Sequence, residues 1–267
     1  YLEISLNDEK KLKNIQYFSL VEFYNNTLNK ESPFLENTKS FHNNLIEYIN
    51  KQLSINVPFG VEFSGGLDSS LLTSFLKNRE NISTYSAVIP DFDRSEEYWQ
   101  QKVSTHLQIR NKKIILESNF YKEESLTKLI YSNDAPLQHP NFLPCFYLCN
   151  QAKKDNIKVL ISGDGADEFF SGYKWLNEDL KYKKESQIIE DSAFNNIESI
   201  KNLFRLNSIN LDKRIKYISQ LDTERVSNPN LLKAHIYLQR FYLQKWLHRQ
   251  DRTGMSNGIE IRVPFCD

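Results

Sequence analysis

A glycine-rich segment between two apolar runs constrains the fold of this chain more than any other feature. Residues 64–70 read Ser-Gly-Gly-Leu-Asp-Ser-Ser; an apolar run at 57–63 precedes them and an amphipathic run at 71–76 follows. This pattern predicts a strand, a tight turn and a helix whose N-terminus directs backbone N–H groups at one place. A capped helix N-terminus would explain one serine and one aspartate, but not the paired glycines Gly65 and Gly66. We therefore predict a phosphate-binding loop.

The residues at the end of this loop narrow its type. A Walker A loop ends in Gly-Lys followed by Ser or Thr, and no such triplet occurs here, which argues against a kinase or a GTPase. Asp68 would repel a phosphate unless a divalent cation lay between them. The segment resembles the PP-loop of ATP pyrophosphatases, which cleave ATP between the α- and β-phosphates and leave an adenylylated intermediate.

A second apolar run also leads into a glycine loop. Residues 157–161, Ile-Lys-Val-Leu-Ile, are typical of a buried strand and precede Ser-Gly-Asp-Gly-Ala-Asp-Glu at 162–168. Because the carboxyl ends of parallel strands face one crevice, we expect the two loops to meet there. Asp68 and Asp167 could then hold one Mg²⁺ against the departing pyrophosphate. A plain surface turn is the alternative, but it leaves the acidic pair before two phenylalanines unexplained.

A third segment, 249–267, reads Arg-Gln-Asp-Arg-Thr-Gly-Met-Ser-Asn-Gly-Ile-Glu-Ile-Arg-Val-Pro-Phe-Cys-Asp. Together, the three segments resemble the synthetase domain of asparagine synthetases. That family carries SGGxDS, SGxGxDExFxGY and R-x-D-x-x-x-M-x-x-x-x-E-x-R-V-P-F-x-D in this order. The resemblance covers nearly the whole chain, and the ordered set of motifs is far more specific than any one of them.

The alternation of elements predicts an α/β fold. Strands expected at 84–88 and 113–116 enclose a helix that begins near Ser95, and a further amphipathic helix is expected at 38–53. This order predicts a parallel twisted sheet with helices on both faces, of the adenine nucleotide α-hydrolase-like type that the PP-loop resemblance implies. Residues 178–250 have helical periodicity, so we expect a mostly helical C-terminal part.

The resemblance implies an ATP-dependent, Mg²⁺-dependent amide-forming ligase. The side-chain carboxylate of aspartate would attack the α-phosphate, giving β-aspartyl-AMP and pyrophosphate, and ammonia would displace AMP to give asparagine. The implied catalytic residues are Asp68, Asp164 and Asp167, of which Asp68 and Asp167 are also the expected metal ligands. The implied nucleotide-binding residues are Phe63, Ser64, Gly65, Gly66, Asp68, Ser69, Val88, Ser162 and Gly163, with Val88 beside the adenine.

The resemblance also predicts how the chain relates to a longer protein. Residues 1–36 resemble the linker that follows a glutaminase domain, and residues 37–267 resemble the ATP-binding domain without its C-terminal tail. The internal positions of the cysteines exclude the terminal nucleophile that a glutaminase needs. The family's functional lysine lies beyond the Val-Pro-Phe segment and has no counterpart here. We therefore expect a fragment that is inactive in isolation and that relies on an N-terminal glutaminase domain for ammonia from glutamine.

Composition limits the class of partner. Lys+Arg and Asp+Glu number 34 each, which argues against binding to nucleic acid or to an anionic membrane. We find no signal peptide and no membrane-spanning run, and expect a cytoplasmic protein; a homodimer is left open. The chain has three cysteines, an odd count that argues against a disulfide framework. Cys145 and Cys149 share a helix face, and we favour buried apolar packing over a metal pair because no partner ligands lie nearby in sequence.

Several alternatives stay open at this point. β-Lactam synthetases and lasso-peptide cyclases use the same adenylation with another acyl acceptor, although Asp164 stands where β-lactam synthetases have a tyrosine. A tRNA-thiolating enzyme would need catalytic cysteines and a basic face. A non-catalytic ATP-binding module is a further alternative. Glu168 and Arg262 are expected either to form a buried structural pair or to act in catalysis.

Overall fold

The computed structural model describes most of the chain and divides it into two compact units. One unit comprises residues 1–34 and 173–240, and the other comprises 35–172 and 241–267. The described residues are 2–4, 12–14, 19–27, 34–53, 57–79, 82–90, 95–117, 120–137, 139–176, 182–191, 212–221 and 229–266.

The larger unit, 35–172 with 241–267, is built on a parallel sheet. The strands of the chain are β1 (Leu2–Ile4), β2 (Leu12–Asn14), β3 (Phe59–Glu62), β4 (Ser83–Val88), β5 (Asn111–Ile115), β6 (Val159–Ile161) and β7 (Glu260–Arg262). The last five form one sheet in the order β5-β4-β3-β6-β7, and every neighbouring pair in it is parallel. The predicted parallel sheet is confirmed.

Helices follow the strands in alternation. Within the larger unit they are α2 (Phe34–Gln52), α3 (Leu67–Leu76), α4 (Glu97–Leu107), α5 (Glu123–Asn133), α6 (Phe142–Lys154) and α7 (Ala166–Phe170), after α1 (Leu20–Thr27) of the smaller unit. Parallel neighbours require such crossovers, because the chain must return to the same end of the sheet before each new strand. The expected helices near 38–53 and after Ser95 are therefore confirmed.

Apolar side chains cover both faces of the sheet. On one face Val61 and Ile161 pack with Leu45 and Leu72 of the helices α2 and α3. On the other face the sheet packs against Cys149 and its neighbours on α6. A sheet covered on both sides favours strands that are apolar throughout, as β6 is. A carboxylate at the end of such a strand, as at Glu62, is therefore unusual.

The smaller unit is helical in its described C-terminal portion. It contains α8 (Glu185–Asp191), α9 (Asp212–Ser219) and α10 (Pro229–Tyr237). Ile188 and Ala234 form the centre of its core, and Asn230 Nδ2 donates to the Lys183 carbonyl at 2.8 Å. A π-helical turn, Leu238–Tyr242, leads into α11 (Leu243–Met255) of the larger unit.

The described elements between 178 and 250 are all helical, as predicted; the rest of that range lies outside the described residues. The chain closes, within the described part, on a 3₁₀ turn at Pro264–Cys266. Among the described residues, no helix combines the length and the apolar character needed to cross a membrane.

The strand order indicates where a ligand-binding crevice is expected. The chain proceeds from β3 to β4 and β5 on one side, and places β6 and β7 on the other side of β3. Parallel α/β sheets bind ligands at such a reversal, at the carboxyl ends of the strands. The loops after β3 and β6, residues 63–66 and 162–165, occupy that position.

Candidate functional site

The first loop starts from a residue fixed by the neighbouring strand. The Phe63 N–H donates to the Tyr85 carbonyl at 2.8 Å, and its carbonyl accepts a hydrogen bond from the Ser86 hydroxyl. The Phe63 side chain is buried. This residue therefore fixes where the loop leaves the sheet.

The two glycines of the loop differ in whether the fold would tolerate a side chain at their position. Gly65 has φ +79°, and a Cβ there would lie 2.5 Å from the backbone nitrogen of Gln100 on α4, so the fold itself excludes a side chain. Gly66 is the N-cap of α3 with φ −69°, and a Cβ there would approach only Ser64 Oγ, at 3.1 Å. Because the fold does not require Gly66, the open space beside it is consistent with close approach of a ligand.

The loop serines hold the turn together. Ser64 Oγ accepts a hydrogen bond from the Gly66 N–H at 3.1 Å and lies 3.0 Å from Ser69 Oγ. Ser69 in turn lies on the first turn of α3, and its side chain is buried. Val88, the last residue of β4, is buried, and its carbonyl accepts from the Leu116 N–H at 2.8 Å.

The second loop contacts the first. A Cβ on Gly163 would lie 3.3 Å from both Asp68 Cβ and the Ser69 backbone nitrogen. Gly165 has φ +96°, and a Cβ there would collide with Cys266 Sγ. Glycines in the second loop thus allow it to lie directly against the start of α3. The structure brings together the two segments that the sequence placed after separate strands.

Three aspartates of these loops influence one another. Burial raises the pKa of Asp68, and the charge of Asp167 raises it further. Burial likewise raises the pKa of Asp167, with a further contribution from Asp164. The Asp167 carboxylate lies over Gly172, where a Cβ would overlap Oδ1. Both raised pKa values indicate carboxylates that lack a full complement of compensating charge.

Two side chains of helix α11 hold the Asp164 carboxylate in place. Arg249 Nη2 lies 2.5 Å from Asp164 Oδ2, and Gln250 Nε2 donates to the same oxygen at 2.7 Å. The Arg249 side chain is 8% exposed and that of Asp164 is 27% exposed. The ion pair therefore lies at the edge of the crevice with its carboxylate outward.

Gln250 connects this pair to the sheet. Its Nε2 also lies 3.0 Å from Ser162 Oγ and 2.8 Å from Glu62 Oε2. Burial raises the pKa of Glu62, and the charge of Asp164 adds to that effect while Arg249 opposes it. The Cys145 thiol follows, with Sγ 3.1 Å from Gln250 Oε1 and 3.6 Å from Glu62 Oε1.

Glu62 and Gln250 belong to this site but were not predicted from the sequence. A signal for Glu62 was present, since an acidic residue between Val61 and Phe63 breaks an otherwise apolar strand. Gln250 offered no signal of its own, because its role depends on how α11 packs against the sheet.

One expected pair is not formed. Arg262 does not pair with Glu168: its Nε lies 2.8 Å from Glu260 Oε1, and its Nη1 donates to the Gln52 carbonyl. Glu260 lies two residues before Arg262 on β7 and on the same side of the strand, so it reaches the guanidinium first. Glu168 itself is buried. Of the two alternatives for Glu168 and Arg262, the structure therefore excludes the buried pair, and the catalytic role stays a prediction.

The fold and the loops together are those of a parallel α/β domain with two glycine-containing loops at the carboxyl ends of adjacent strands. A family model described as asparagine synthase matches residues 41–267. The chain therefore belongs to the asparagine synthase family.

Curated relatives agree with this assignment. The chain is 25% identical over 266 residues to "Asparagine synthetase [glutamine-hydrolyzing] 1" of Bacillus subtilis, with 86% of this chain and 42% of the relative covered. It is 23% identical over 283 residues to "Asparagine synthetase [glutamine-hydrolyzing] 2" of the same organism, with 100% and 37% covered. The chain thus spans about two fifths of the length of these relatives.

A solved structure of an NMN synthetase from Francisella tularensis is 16% identical and covers 82% of this chain and 92% of that one, with a TM-score of 0.38. That score is too low to support a conclusion.

Proposed function

We propose that this chain is the adenylating domain of an asparagine synthetase-type ligase. The side-chain carboxylate of aspartate attacks the α-phosphate of ATP and forms β-aspartyl-AMP and pyrophosphate. Ammonia then displaces AMP and gives asparagine. The observation that carries this proposal is the contact of two glycine-containing loops at the ends of adjacent parallel strands, with Asp68, Asp164 and Asp167 grouped beside them.

The first loop would hold the phosphates. Backbone N–H groups at a helix N-terminus favour anions, and the open space beside Gly66 suits a phosphate oxygen. Ser64, Gly65 and Ser69 complete the cradle in this proposal. Phe63 fixes its entry, and the backbone of Val88 lies beside the adenine.

A divalent cation fits the second loop. Asp68 and Asp167 are two carboxylates close enough to raise one another's energy when charged, and oxygen ligands of this kind suit Mg²⁺. Bound Mg²⁺ would neutralise the negative charge that develops as pyrophosphate leaves. Gly172 allows the Asp167 carboxylate to take its observed position.

Asp164 would orient the ammonia. Both of its described side-chain hydrogen bonds reach Oδ2, and among the described residues Oδ1 has no hydrogen-bond partner. Oδ1 is therefore available to accept an N–H from ammonia and to direct the nitrogen lone pair at the acyl carbon. Ser162 and Gly163 line the adjacent space for the acyl-adenylate. Positioning of this kind can contribute much of the rate enhancement of a bimolecular step.

The ammonia source and the remaining charge stabilisation belong to the full-length protein in this proposal. The curated relatives are named as glutamine-hydrolysing, so we propose that a glutaminase domain delivers ammonia to the synthetase crevice. The lysine that the family places beyond the Val-Pro-Phe segment would act on the phosphates.

The test is ATP affinity and aspartate-dependent pyrophosphate release by the full-length protein and its Gly66→Ala variant. The added Cβ meets only a serine hydroxyl, so the fold should be preserved. Loss of one contact to a charged phosphate, worth about 1.5–3 kcal/mol, should weaken ATP binding by about tenfold or more.

The matched control is Gly258→Ala. Gly258 has φ +72° with nothing within 4 Å of a Cβ, so this change should lower stability without affecting ATP binding. Unchanged ATP affinity in the Gly66→Ala variant would show that the loop only caps helix α3 and does not bind the phosphates.

The choice of co-substrate separates the remaining alternatives. Pyrophosphate release that requires aspartate supports the proposal. Pyrophosphate release that does not depend on aspartate but requires another carboxylate substrate would assign the chain to the β-lactam synthetase or lasso-peptide cyclase type. ATP binding without any release would indicate a non-catalytic module.

A further inference from the structure

Two cysteines and a carboxylate converge behind the crevice. The Sγ atoms of Cys145 and Cys149 and a carboxylate oxygen of Glu62 all lie within 4.8 Å of one another. In the part of the chain that the structure describes, no other group of three or more His, Cys, Asp or Glu side chains lies so close together. Glu62 is the last residue of β3 and the cysteines lie on α6, so the cluster joins a strand and a helix far apart in sequence.

The spacing of the two cysteines suits a shared ion. Residues i and i+4 of a helix lie on one face, and this spacing lets two side chains of a helix bind the same zinc ion. Ligand atoms that share a tetrahedral Zn²⁺ lie about 3.3–3.8 Å apart, given metal–ligand bonds of about 2.0–2.3 Å. The observed cluster would need to contract by only about 1 Å to reach that geometry.

The charge environment also favours a cation. Both cysteines are buried, Glu62 is partly buried, and among the described residues no Lys, Arg or His lies within salt-bridge distance of Glu62. The guanidinium of Arg249 is engaged by Asp164 instead. Burying an ionisable carboxylate without a direct counter-charge is costly, and a metal ion would supply that charge.

A fourth ligand is within reach. Gln250 Oε1 lies 3.1 Å from Cys145 Sγ, and Gln250 Nε2 contacts the Glu62 carboxylate at 2.8 Å. An amide oxygen would complete four-coordination together with two thiolates and a carboxylate. A metal there would connect β3, α6 and α11 at one point.

We propose that Glu62, Cys145 and Cys149 form a structural binding site for a divalent zinc ion, with Gln250 Oε1 as the fourth ligand. The ion lies behind Ser162 and Asp164 and fixes Gln250, which holds both of those residues. This site is separate from Asp68 and Asp167: thiolates select zinc over magnesium, whereas a pair of aspartates favours magnesium. The proposal does not depend on the reaction proposed above.

The test is metal binding by the chelator-treated full-length protein, measured by elemental analysis after Zn²⁺ loading and by optical absorption after Co²⁺ loading. We expect one tightly bound ion per cluster and a thiolate-to-cobalt charge-transfer band that Zn²⁺ abolishes. Cys149→Ala and Glu62→Gln should each weaken Zn²⁺ binding by more than about 100-fold, beyond the 10–100-fold typical of residues that only support a ligand.

The control is Cys266→Ala, whose thiol lies 3.7 Å from the Asp164 carbonyl and outside the cluster. This variant should retain the ion and the cobalt band. A wild-type protein that takes up no Zn²⁺, or that binds Co²⁺ without a thiolate band, would overturn the proposal and leave the cluster as hydrogen-bonded thiols. The wild-type spectrum decides the question even if a ligand variant fails to fold.

Discussion

Gln250 Nε2 donates to Asp164 Oδ2 at 2.7 Å, so helix α11 sets the orientation of a carboxylate in a loop of the sheet. The same nitrogen contacts Glu62 and Ser162. One amide therefore links the end of β3, the end of β6 and the helix that packs on them. The geometry of the candidate acyl-transfer site depends on this contact.

Replacing Gln250 with Leu should destabilise the protein and impair synthesis. The change removes this donor from the Glu62 carboxylate, and an unsatisfied buried polar group costs about 1–3 kcal/mol. Asp164 also loses the donor but keeps its ion pair with Arg249. Chemical denaturation measures the free energy of unfolding. The matched control is Gln101→Leu, an exposed position on α4, which should change stability by no more than about 0.5 kcal/mol. Equal effects of the two changes would show that the Gln250 contacts do not stabilise the site.

Replacing Gly172 with Ala should weaken Mg²⁺ binding rather than ATP binding. The new Cβ would overlap Asp167 Oδ1, so the carboxylate must move from its observed position. We expect the Mg²⁺ concentration for half-maximal pyrophosphate release to rise by about 10–100-fold. Gly258→Ala adds a Cβ that would have no atom within 4 Å apart from its chain neighbours, and it should leave that concentration unchanged. If the Gly172 variant keeps the wild-type Mg²⁺ requirement, Asp167 is not a metal ligand.

The pH dependence of stability should include a contribution from His139. Burial lowers the pKa of His139 below its ordinary 6.5; the hydrogen bond with Asn141 opposes this shift, and the charges of Arg249 and Lys245 add to it. The folded state thus disfavours the protonated ring. The resulting contribution to the free energy of unfolding is complete above pH 6.5 and is lost as the pH falls through the lowered pKa of His139.

The measurement compares unfolding free energies of wild type and His139→Gln across roughly pH 5–8, the range in which histidine titrates. The wild type should lose stability relative to the variant as pH falls below 6.5. A difference that stays constant with pH would show that folding does not disfavour the charged ring.

Two leucines of helix α3 provide a matched test of the core. Leu72 is fully buried against the sheet, whereas Leu67 is 83% exposed at the start of the same helix. Leu72→Ala should cost about 2–5 kcal/mol, because it leaves a cavity in a packed interior. Leu67→Ala should cost less than about 0.5 kcal/mol. Similar losses at the two positions would contradict the packing of α3 on the sheet.

The sequence predicted the parts of the fold that depend on local pattern. The apolar run at 157–161 and the glycine loop after it gave a strand and a turn, and the same holds for the loop at 64–70. The parallel pairing follows, because the segments between strands are long enough for crossover helices. Motif order then predicted the family, which the match over residues 41–267 confirms.

What the sequence could not give is the side-chain network that joins distant segments. Glu62 contacts Cys145, which lies 83 residues later, and Gln250, which lies 188 residues later. Such contacts depend on how α6 and α11 pack on the sheet, and no periodicity encodes that. The buried Glu168–Arg262 pair, one of the two alternatives drawn from the sequence, is absent for the same reason, since a partner two residues away in the strand lies closer to Arg262.

The most direct measurement of the proposed reaction is oxygen transfer from aspartate to AMP. Aspartate labelled with ¹⁸O in its side-chain carboxylate is incubated with ATP, Mg²⁺ and ammonia and the full-length protein, and AMP is examined by mass spectrometry. If the carboxylate attacks the α-phosphate and ammonia displaces AMP, one labelled oxygen must remain in AMP. Label in inorganic phosphate together with ADP, or no label in either nucleotide product, would contradict adenylation of aspartate by this chain.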